Sequence, residues 1–202
     1  MIYIEGNIGV GKTTLLNNLK NYHFNVITEP VEQWGEILKL YYNDKKKYAF
    51  RFQMKILLTW IEKFITLNNT DVYFTERSLF SGREVFFKLT CENGHVNNKD
   101  MLEYNECFDK LLNISCIKDI VKPKAYIYLR TSPEICHERV KKRNRIGEEH
   151  ITLEYLQKLD MYHHCWINKE KEKGVQVLEI DNSFEYKGEE IYLKILDFLT
   201  TL

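Results

Sequence analysis

The sequence predicts an α/β fold in which a five-stranded parallel sheet carries helices on both faces. Short runs rich in β-branched and aromatic residues alternate with longer amphipathic stretches, a pattern typical of parallel strands joined by crossover helices. Residues 126–129 (YIYL) form a continuous apolar run, as expected of a parallel strand that is buried on both faces. A glycine-rich loop follows the first run. Ligands of such folds bind where strands pass into loops at their carboxyl ends.

The individual elements follow from these runs and stretches, taken in chain order. Strands are predicted at residues 2–5, 25–28, 72–75, 125–129 and 175–180. Helices are predicted at residues 13–20, 48–68, 81–89, 101–116, 133–142 and 153–173, with a terminal helix from residue 185. The stretch 101–116 has an apolar stripe at helical spacing, which core packing explains. Its members are Leu102, Phe108, Leu111 and Leu112.

Composition limits the class of protein. At 202 residues the chain suits a single domain, residues 1–202. Its 29 basic and 29 acidic residues balance, so no long-range attraction to nucleic acid or to anionic membranes is expected. The five cysteines never form a CxxC pair, which is typical of a reduced, cytoplasmic protein. No apolar run approaches the ~18 residues of a membrane span, and no basic targeting segment precedes Ile2.

The loop after the first strand predicts a site for a nucleoside triphosphate. Its pattern is Gly-x4-Gly-Lys-Thr, and the flanking strand and helix give that pattern its meaning. Glycines let backbone N–H groups surround phosphate oxygens, and the helix N-terminus adds positive potential. We expect Lys12 to reach the β- and γ-phosphates and the Thr13 hydroxyl to ligate Mg²⁺. The predicted ATP contacts of the loop are Gly6, Asn7, Ile8, Gly9, Val10, Gly11, Lys12, Thr13 and Thr14.

A triphosphate site alone fits a kinase, a GTPase or an ATPase. A GTPase would need a guanine-reading Asn-Lys-x-Asp sequence, and the chain has none. Acidic and basic residues instead stand at two further strand ends. Glu29 follows the second predicted strand, and Glu76-Arg77-Ser78 follows the third.

These strand ends belong to a set of motifs through which the sequence resembles the deoxynucleoside kinases. That family contains the deoxycytidine, deoxyguanosine and mitochondrial thymidine kinases and the insect multisubstrate enzyme, and nearly the whole chain resembles it. The motifs are GNIGVGKTT (6–14), EPVEQW (29–34), FQ (52–53), ERS (76–78), LRTSPE (129–134), ERVKKRNR (138–145) and LEYLQKL (153–159). The resemblance implies a P-loop kinase fold with an arginine-rich lid. It also implies phosphorylation of a deoxynucleoside 5′-hydroxyl by ATP, with Mg²⁺ as cofactor.

The resemblance implies a role for each charged strand end. Glu29 would be the catalytic base, and a carboxylate suffices because a loose transition state needs little activation of the nucleophile. Arg77 would hold Glu29 and the hydroxyl in line, and its charge would keep Glu29 ionised. Glu76 would join Thr13 around Mg²⁺. Lys12 would complete the catalytic set together with arginines of the lid.

The lid is expected at about residues 139–150. A basic run on a helix is usually a solvated face, but this one follows the fourth strand, where the family has its lid. An arginine that stabilises a transferring phosphoryl group contributes ~10³–10⁵ in rate. Arg139 and Arg143 are the expected catalytic arginines, and Arg143 and a secondary Arg145 are expected on the ATP phosphates. The adenine of ATP would lie at Asp181 and Phe184, in a loop whose bare sequence is that of a helix cap.

The resemblance also implies how the sugar is held. A tyrosine and a lid glutamate would share the 3′-hydroxyl, and the tyrosine matches Tyr42. Two glutamates are adjacent in the lid. Counting along the flanking motifs gives Glu148, and Glu149 is the alternative because Ile146-Gly147 departs from the family pattern.

The base would lie against the rings of Phe86 and Trp34. The amide of Gln53 can match the pairing edge of thymine or of cytosine. Where purine-favouring relatives place an arginine and an aspartate, this chain has Trp60 and Gly82. The neutral, bulky Trp60 together with Ile56 leaves less room for a second ring. A pyrimidine is therefore predicted, thymidine first and deoxycytidine next. The predicted nucleoside contacts are Glu29, Trp34, Tyr42, Phe52, Gln53, Ile56, Trp60, Arg77, Gly82, Phe86 and Glu148.

Two other functions remain open at this point. A nucleoside monophosphate kinase of the thymidylate kinase type would need a cationic site for its acceptor phosphate, whereas Val31 and Trp34 near Glu29 are apolar. A module that binds ATP without an acceptor would not need the acceptor-side residues. His163-His164 resembles half of a metal site, but no further ligands fall at the required spacing, so packing or surface histidines are expected. The resemblance finally implies a homodimer through helices like that of residues 101–116.

Overall fold

Five parallel strands form one sheet in the computed structural model, which describes residues 1–68, 70–145, 148–183 and 188–202. The strands are β1 (Ile2–Glu5), β2 (Asn25–Ile27), β3 (Tyr73–Glu76), β4 (Ala125–Arg130) and β5 (Gln176–Asp181). Their order across the sheet is β2-β3-β1-β4-β5, and every pairing is parallel. The predicted α/β fold with a five-stranded parallel sheet is confirmed.

The central strand, β1, determines where the site lies. It pairs on one side with β3, where Ile4 lies opposite Glu76, and on the other with β4, where Glu5 lies opposite Tyr128. All four residues of β1 are buried, as expected of a central parallel strand. The chain passes from β3 on one side of β1 to β4 on the other. Open α/β sheets bind ligands at such a switch point, beyond the carboxyl ends of the strands.

Within the residues that the structure describes, the helices occupy the connections between strands, except that α10 follows the last strand, β5. They are α1 (Lys12–Asn21), α2 (Gly35–Asn43), α3 (Lys45–Phe64), α4 (Leu79–Ser81), α5 (Lys88–Glu92), α6 (Asn98–Leu112), α7 (Ser115–Val121), α8 (Pro133–Arg143), α9 (Leu153–Glu172) and α10 (Gly188–Thr200). A 3₁₀ turn (Val31–Trp34) precedes α2, and a π-helical stretch (Gly82–Phe87) joins α4 to α5. The side chains of Asp44, Ser132 and Thr152 cap the N-termini of α3, α8 and α9, as these residue types commonly do.

The helix boundaries differ from the sequence-based expectation in several places. The predicted helix at 81–89 is replaced by α4, the π-helical stretch and α5, and two other helices are broken where no break was expected. Helix α2 was not expected, and α3 begins at Lys45, because Asp44 leaves the helical conformation (φ −147°, ψ 88°) and caps α3. The predicted helix at 101–116 is two helices, since Ile114 is extended (φ −67°, ψ 118°) between α6 and α7. Each break depends on the backbone conformation of one residue, which the spacing of apolar residues does not predict.

The strand boundaries differ by one residue at the ends that form the site. β2 ends at Ile27, and Pro30 further along has no backbone N–H with which to continue the strand pairing. β3 extends to Glu76, because the backbone N–H of Arg77 still donates to Ile4 O at 3.0 Å. The predicted start of the terminal helix at residue 185 lies outside the described residues, and α10 is described from Gly188. Among the helices that the structure describes, none combines the length and the apolar character needed to cross a membrane.

Candidate active site

The phosphate loop connects β1 to α1, and two glycines allow its path. Gly6 (φ 138°) and Gly9 (φ 83°) adopt backbone angles that residues with a side chain rarely adopt. A Cβ at Gly6 would collide with Leu129 O, and a Cβ at Gly9 would collide with Cys136 O. The loop is thus packed against the end of β4 and against α8, with its backbone close to both.

Lys12 begins α1 and lies beneath the loop. Its Nζ donates to Asn7 O at 2.8 Å and to Gly6 O at 3.2 Å, and only 4% of the residue is exposed. Burial, followed by the charge of Arg77, lowers the pKa of Lys12 to about 8, and nearby carboxylates oppose that change. On the other side of the loop, Asn7 Nδ2 donates to Leu156 O at 2.8 Å. The loop is therefore fastened to α9 as well as to its own lysine.

Thr13 and Glu76 bring two oxygen ligands together at the mouth of the loop. The Thr13 hydroxyl donates to Glu76 Oε1 at 2.9 Å, although the two residues lie 63 positions apart. Glu76 is 6% exposed at the end of β3. Hydroxyl and carboxylate oxygens are ligands that suit Mg²⁺, which usually completes its shell with water and substrate phosphates.

Arg77 follows β3 and joins the donor side to the acceptor side. Its Nη1 donates to Gly6 O at 3.1 Å, and its Nε lies 3.4 Å from Glu29 Oε1. The guanidinium carbon is 4.4 Å from the centre of the Phe86 ring. The backbone of Arg77 is left-handed (φ 65°). Such a conformation persists in a residue with a side chain only where the surroundings enforce it, and it is common at functional sites.

Glu29 faces Arg77 across the end of the sheet. Burial raises the pKa of the Glu29 carboxyl above its ordinary value, the Arg77 guanidinium is the largest opposing influence, and Glu76 adds to the rise. The expectation that Arg77 favours the ionised form of Glu29 agrees with this direction of its influence. A carboxylate with a raised pKa is a stronger base than an exposed one.

A cavity of about 290 Å³ opens from this cluster. It is lined by every residue that the sequence predicted for the nucleoside, which the chain contributes from widely separated elements. These residues are Glu29, Trp34, Tyr42, Phe52, Gln53, Ile56, Trp60, Arg77, Gly82, Phe86 and Glu148. Of the nine residues predicted from the loop, four also line it: Ile8, Gly9, Lys12 and Thr13.

The basic run at the end of α8 is paired with an acid. Arg143 donates to both carboxylate oxygens of Glu148, from Nε at 2.6 Å and from Nη2 at 2.5 Å. Arg145 Nη1 lies 3.7 Å from Glu148 Oε1. All three line the cavity, as Tyr42 does, whereas Glu149 is exposed and lines a separate pocket. The geometry favours Glu148 over Glu149 as the residue that faces the nucleoside.

Arg139 takes a different position from the other two arginines. Its Nη2 donates to Asn182 O at 2.9 Å and its Nη1 to Val10 O at 3.5 Å, so it lies outside the cavity lining. Asp181 ends β5 and accepts from Ser183 N and Ser183 Oγ, at 2.9 and 2.6 Å. Phe184, the other residue predicted near the adenine, lies outside the described residues.

Three buried polar residues at the site were not among the predicted contacts, although Asn182 lies in the segment 181–185 that was expected near the adenine. Asn182 donates from Nδ2 to Val10 O at 2.5 Å. Glu5 is fully buried and neither of its oxygens has a well-formed hydrogen bond, although Ser78 is close enough to lower its pKa against the larger effect of burial. His163 is fully buried beside Arg77. A charged residue at the end of the apolar β1 was the available signal for Glu5, and the end of β5 was the signal for Asn182. None marked His163.

A glycine-rich phosphate loop after the central strand, a buried lysine and an acid–arginine pair at the neighbouring strand ends define a P-loop kinase. The comparisons with known proteins make that class more specific. The family model described as Deoxynucleoside kinase matches residues 2–200. The chain therefore belongs to the deoxynucleoside kinase family, whose members are phosphotransferases that use ATP to phosphorylate deoxynucleosides.

Individual relatives are similar over most of their length. A fowlpox virus protein named as a probable deoxycytidine kinase is 34% identical, with 100% of this chain and 88% of that protein covered. Human mitochondrial thymidine kinase 2 is 33% identical, with 92% and 72% covered. Chicken deoxycytidine kinase 2 is 31% identical, with 99% and 90% covered. The named substrates of these relatives are mixed.

Proposed function

We propose that the protein transfers the γ-phosphoryl group of ATP to the 5′-hydroxyl of a pyrimidine deoxynucleoside, thymidine first and deoxycytidine next. The observation that carries this proposal is the composition of the cavity wall. A buried amide, Gln53 (5% exposed), stands there with an indole, Trp60 (2% exposed). An amide can pair with either pyrimidine edge. The relatives named above as thymidine and deoxycytidine kinases support the same substrate class.

The bulk and neutrality of the wall support a single-ring base. Trp60 stacks on Phe64, with ring centroids 5.2 Å apart and planes at 21°, so its position is fixed from behind. At Gly82 a Cβ would meet no atom within 4 Å, which leaves that side open but uncharged. No arginine or aspartate stands at these two positions to pair with the additional hydrogen-bonding groups of a purine.

The charged residues support in-line transfer between the two halves of the site. Glu29 would accept the proton of the 5′-hydroxyl, and Arg77 would orient Glu29 and that hydroxyl. Lys12 would bind the β- and γ-phosphates, and Arg143 would stabilise the transferring phosphoryl group after leaving Glu148. Arg145 and Arg139 are proposed as secondary contacts, Arg139 at the outer side of the loop.

The Thr13 hydroxyl and the Glu76 carboxylate fit Mg²⁺, because they place two hard oxygen donors next to the phosphate loop. When bound there, Mg²⁺ would neutralise charge on the β- and γ-phosphates. Tyr42 and Glu148 would hold the 3′-hydroxyl on the opposite side of the cavity. The sugar would thus be fixed at one end while Glu29 faces its other end.

One assay tests the proposal. The protein is incubated with Mg-ATP and thymidine, deoxycytidine, deoxyguanosine or thymidine monophosphate, and the products are identified chromatographically. We expect nucleoside monophosphate, fastest from thymidine and then from deoxycytidine. Diphosphate formed only from thymidine monophosphate would identify a monophosphate kinase. Hydrolysis of ATP without transfer would identify a binding module, and a preference for deoxyguanosine would contradict the pyrimidine assignment.

The base preference has its own test. Trp60→Met opens the wall beside the base, so the ratio of kcat/KM for thymidine to that for deoxyguanosine should fall about 10-fold or more. Trp166→Phe, a core substitution in α9 away from the cavity lining, controls for loss of stability. An unchanged ratio in Trp60→Met would contradict the assignment of Trp60 to the base.

We also propose a homodimer and a cytoplasmic location. Leu102 of α6 is 66% exposed, Leu58 of α3 is 50% exposed, and Ile65, which directly follows α3, is 53% exposed. Helices α3 and α6 pack together, so these side chains offer an apolar surface for a second copy. Light scattering should give twice the chain mass, and Leu102→Lys should give the monomer. The five cysteines are unpaired, which supports a reducing compartment.

A further inference from the structure

His163 is a fully buried histidine of α9 that contacts the centre of the site. Its Nε2 lies 3.4 Å from Arg77 Nη1 and its Nδ1 lies 2.7 Å from Leu159 O. Its ring and the Phe86 ring form a T-shaped contact, with centroids 5.6 Å apart and planes at 83°. The same Phe86 ring lies against the Arg77 guanidinium. His163 thus contacts Arg77 directly and through a shared neighbour.

The hydrogen bonds assign the protonation state of this ring. A carbonyl oxygen can only accept, so Nδ1 carries the hydrogen that it donates to Leu159 O. Burial and the adjacent Arg77 both lower the pKa of His163 well below its ordinary value, and the bond to Leu159 opposes this only in part. The ring is therefore neutral, and Nε2 presents a lone pair to Arg77 Nη1.

Arg77 has several charged neighbours, so its guanidinium could adopt more than one orientation among them. Carboxylates face it from two elements, Glu5 of β1 and Glu29 after β2, whereas Lys12 of α1 repels it. A guanidinium with free Nη groups could turn toward Glu5, which lacks a well-formed partner. Gly6 O and His163 Nε2 both engage Nη1, and this leaves Nε toward Glu29.

We propose that His163 is a positioning residue whose neutral imidazole holds the Arg77 guanidinium in the orientation that presents Nε to Glu29. The inference rests on the proposed function, in which Arg77 and Glu29 act on the 5′-hydroxyl. If His163 only filled space, any side chain of similar shape and volume would serve at this position. If His163 positions Arg77, a hydrogen-bond acceptor is required at the Nε2 position. Without that acceptor, the Arg77 guanidinium is no longer held with its Nε toward Glu29.

Two amide substitutions separate the two ring nitrogens. His163→Gln can place an amide oxygen near the Nε2 position and accept from Arg77. His163→Asn can place an amide N–H near the Nδ1 position and donate to Leu159 O, but it is too short to reach Arg77. Both variants are polar and neutral, and both remove ring volume, so they share the cost of lost packing. His164→Asn, at the exposed neighbouring residue, is the matched control.

We expect His163→Gln and His164→Asn to keep kcat within about 3-fold, and His163→Asn to lose roughly 10- to 100-fold, because small displacements of positioned groups cost up to about 10²-fold. The KM for ATP should stay unchanged. The acid limb of kcat/KM should move to higher pH in His163→Asn alone, because Arg77 would favour ionised Glu29 less. Equal losses in the Gln and Asn variants, parallel to equal losses of thermal stability, would overturn the proposal.

A second measurement needs no catalysis. The ¹⁵N shifts of the His163 ring in the wild-type protein should give the neutral Nδ1–H tautomer from pH 5.5 to 8. An imidazolium, or the Nε2–H tautomer, would overturn the inference even if every variant were too unstable to assay. If the wild type forms no nucleoside monophosphate while the ring gives the expected signal, the proposed function fails separately from the assignment of the ring.

Discussion

The cations of the site are held in two different ways. In the floor of the site, defined as Lys12, Glu29, Glu76 and Arg77, the Arg77 side chain is 9% exposed and bonds to a carbonyl 71 residues away. In the arginine segment, defined as residues 139–145 together with Glu148, the Arg143 side chain is 34% exposed and pairs with an acid five residues away. Arg77 in the floor is thus held by groups that the sheet brings together, whereas Arg143 in the arginine segment is held by a residue close to it in sequence.

This difference separates a fixed part of the site from a part that would exchange partners under the proposed function. Carbonyl groups of the phosphate loop and strands orient the floor before a substrate arrives, as preorganised electrostatic stabilisation requires. Under the proposed function, Arg143 would exchange its bonds to Glu148 for bonds to a phosphate. The pair is bidentate and the Glu148 side chain is only 12% exposed, so a bound phosphate would have to replace these charge-assisted hydrogen bonds for the exchange to be favourable. Release would free Glu148 for the 3′-hydroxyl at the same time as it frees Arg143 for the phosphate.

The largest expected effect tests the exchange itself. Arg143→Ala removes the cation that would reach the transferring phosphoryl group, so kcat should fall about 10³-fold or more. Arg145→Ala is the control, since that side chain is 49% exposed and its closest approach to Glu148 is 3.7 Å. Its kcat should fall far less. Equal losses in the two variants, measured at saturating ATP and nucleoside, would remove the distinction between these arginines.

The next effect concerns the fixed floor. Glu29→Gln keeps the size of the side chain but cannot accept the proton, so kcat should fall about 10²–10³-fold. Calorimetry should give a nucleoside Kd within a few-fold of the wild type, because the cavity is unchanged. Glu32→Gln, at an exposed residue of the following turn, should leave both quantities close to the wild type. Full turnover in Glu29→Gln would mean that another group serves as the base.

A smaller effect is expected where the arginine segment meets the sugar. Glu148→Gln weakens one hydrogen bond to the 3′-hydroxyl, so the KM for the deoxynucleoside should rise about 10-fold. The rise should vanish with a substrate that lacks the 3′-hydroxyl. Glu149→Gln is the matched control, and a larger rise there than in Glu148→Gln would reverse the assignment made from the cavity lining.

The smallest effect concerns the stability of the floor. Burial raises the pKa of Glu5 from its ordinary 4.5 to about 7. Between these values the native state binds more protons than the unfolded state, so stability falls as pH rises through this window. Glu5→Gln should remove this loss, on the order of 1–3 kcal/mol, and gain a few degrees in Tm relative to the wild type at pH 8 but not at pH 4.5. The same difference in Tm at both pH values would contradict the raised pKa.

The sequence predicted the fixed part of the molecule well, because its signals are local. The parallel sheet was predicted from apolar runs. The phosphate loop was predicted from its glycine spacing, and in the structure those glycines avoid contact with Leu129 and Cys136. The resemblance supplied the acceptor residues, which the sheet does bring to one cavity. Their chemical roles stay predictions until the variants are measured.

What the sequence could not predict are contacts between distant segments. His163 sits 86 residues from Arg77, and a histidine pair on a helix carries no sign of which ring faces inward. Arg139 and Arg143 differ by one helical turn, yet only Arg143 lines the cavity, because Asn182 and Val10 offer carbonyls to Arg139. The break at Asp44 and the extended Ile114 are likewise set by single residues rather than by an apolar period.

The position of β1 in the sheet also has a consequence for synthesis. β1 and the phosphate loop are made first, but the strands on either side begin only at Tyr73 and Ala125, and α9 ends at Glu172. At roughly 5–20 residues per second, the nascent loop waits roughly 3–14 s for β3 alone. Throughout that time the backbone N–H and C=O groups along both edges of β1 have no partner strand, which makes the growing chain a candidate client for chaperones. The motif that marks the kinase is thus translated well before any kinase can exist.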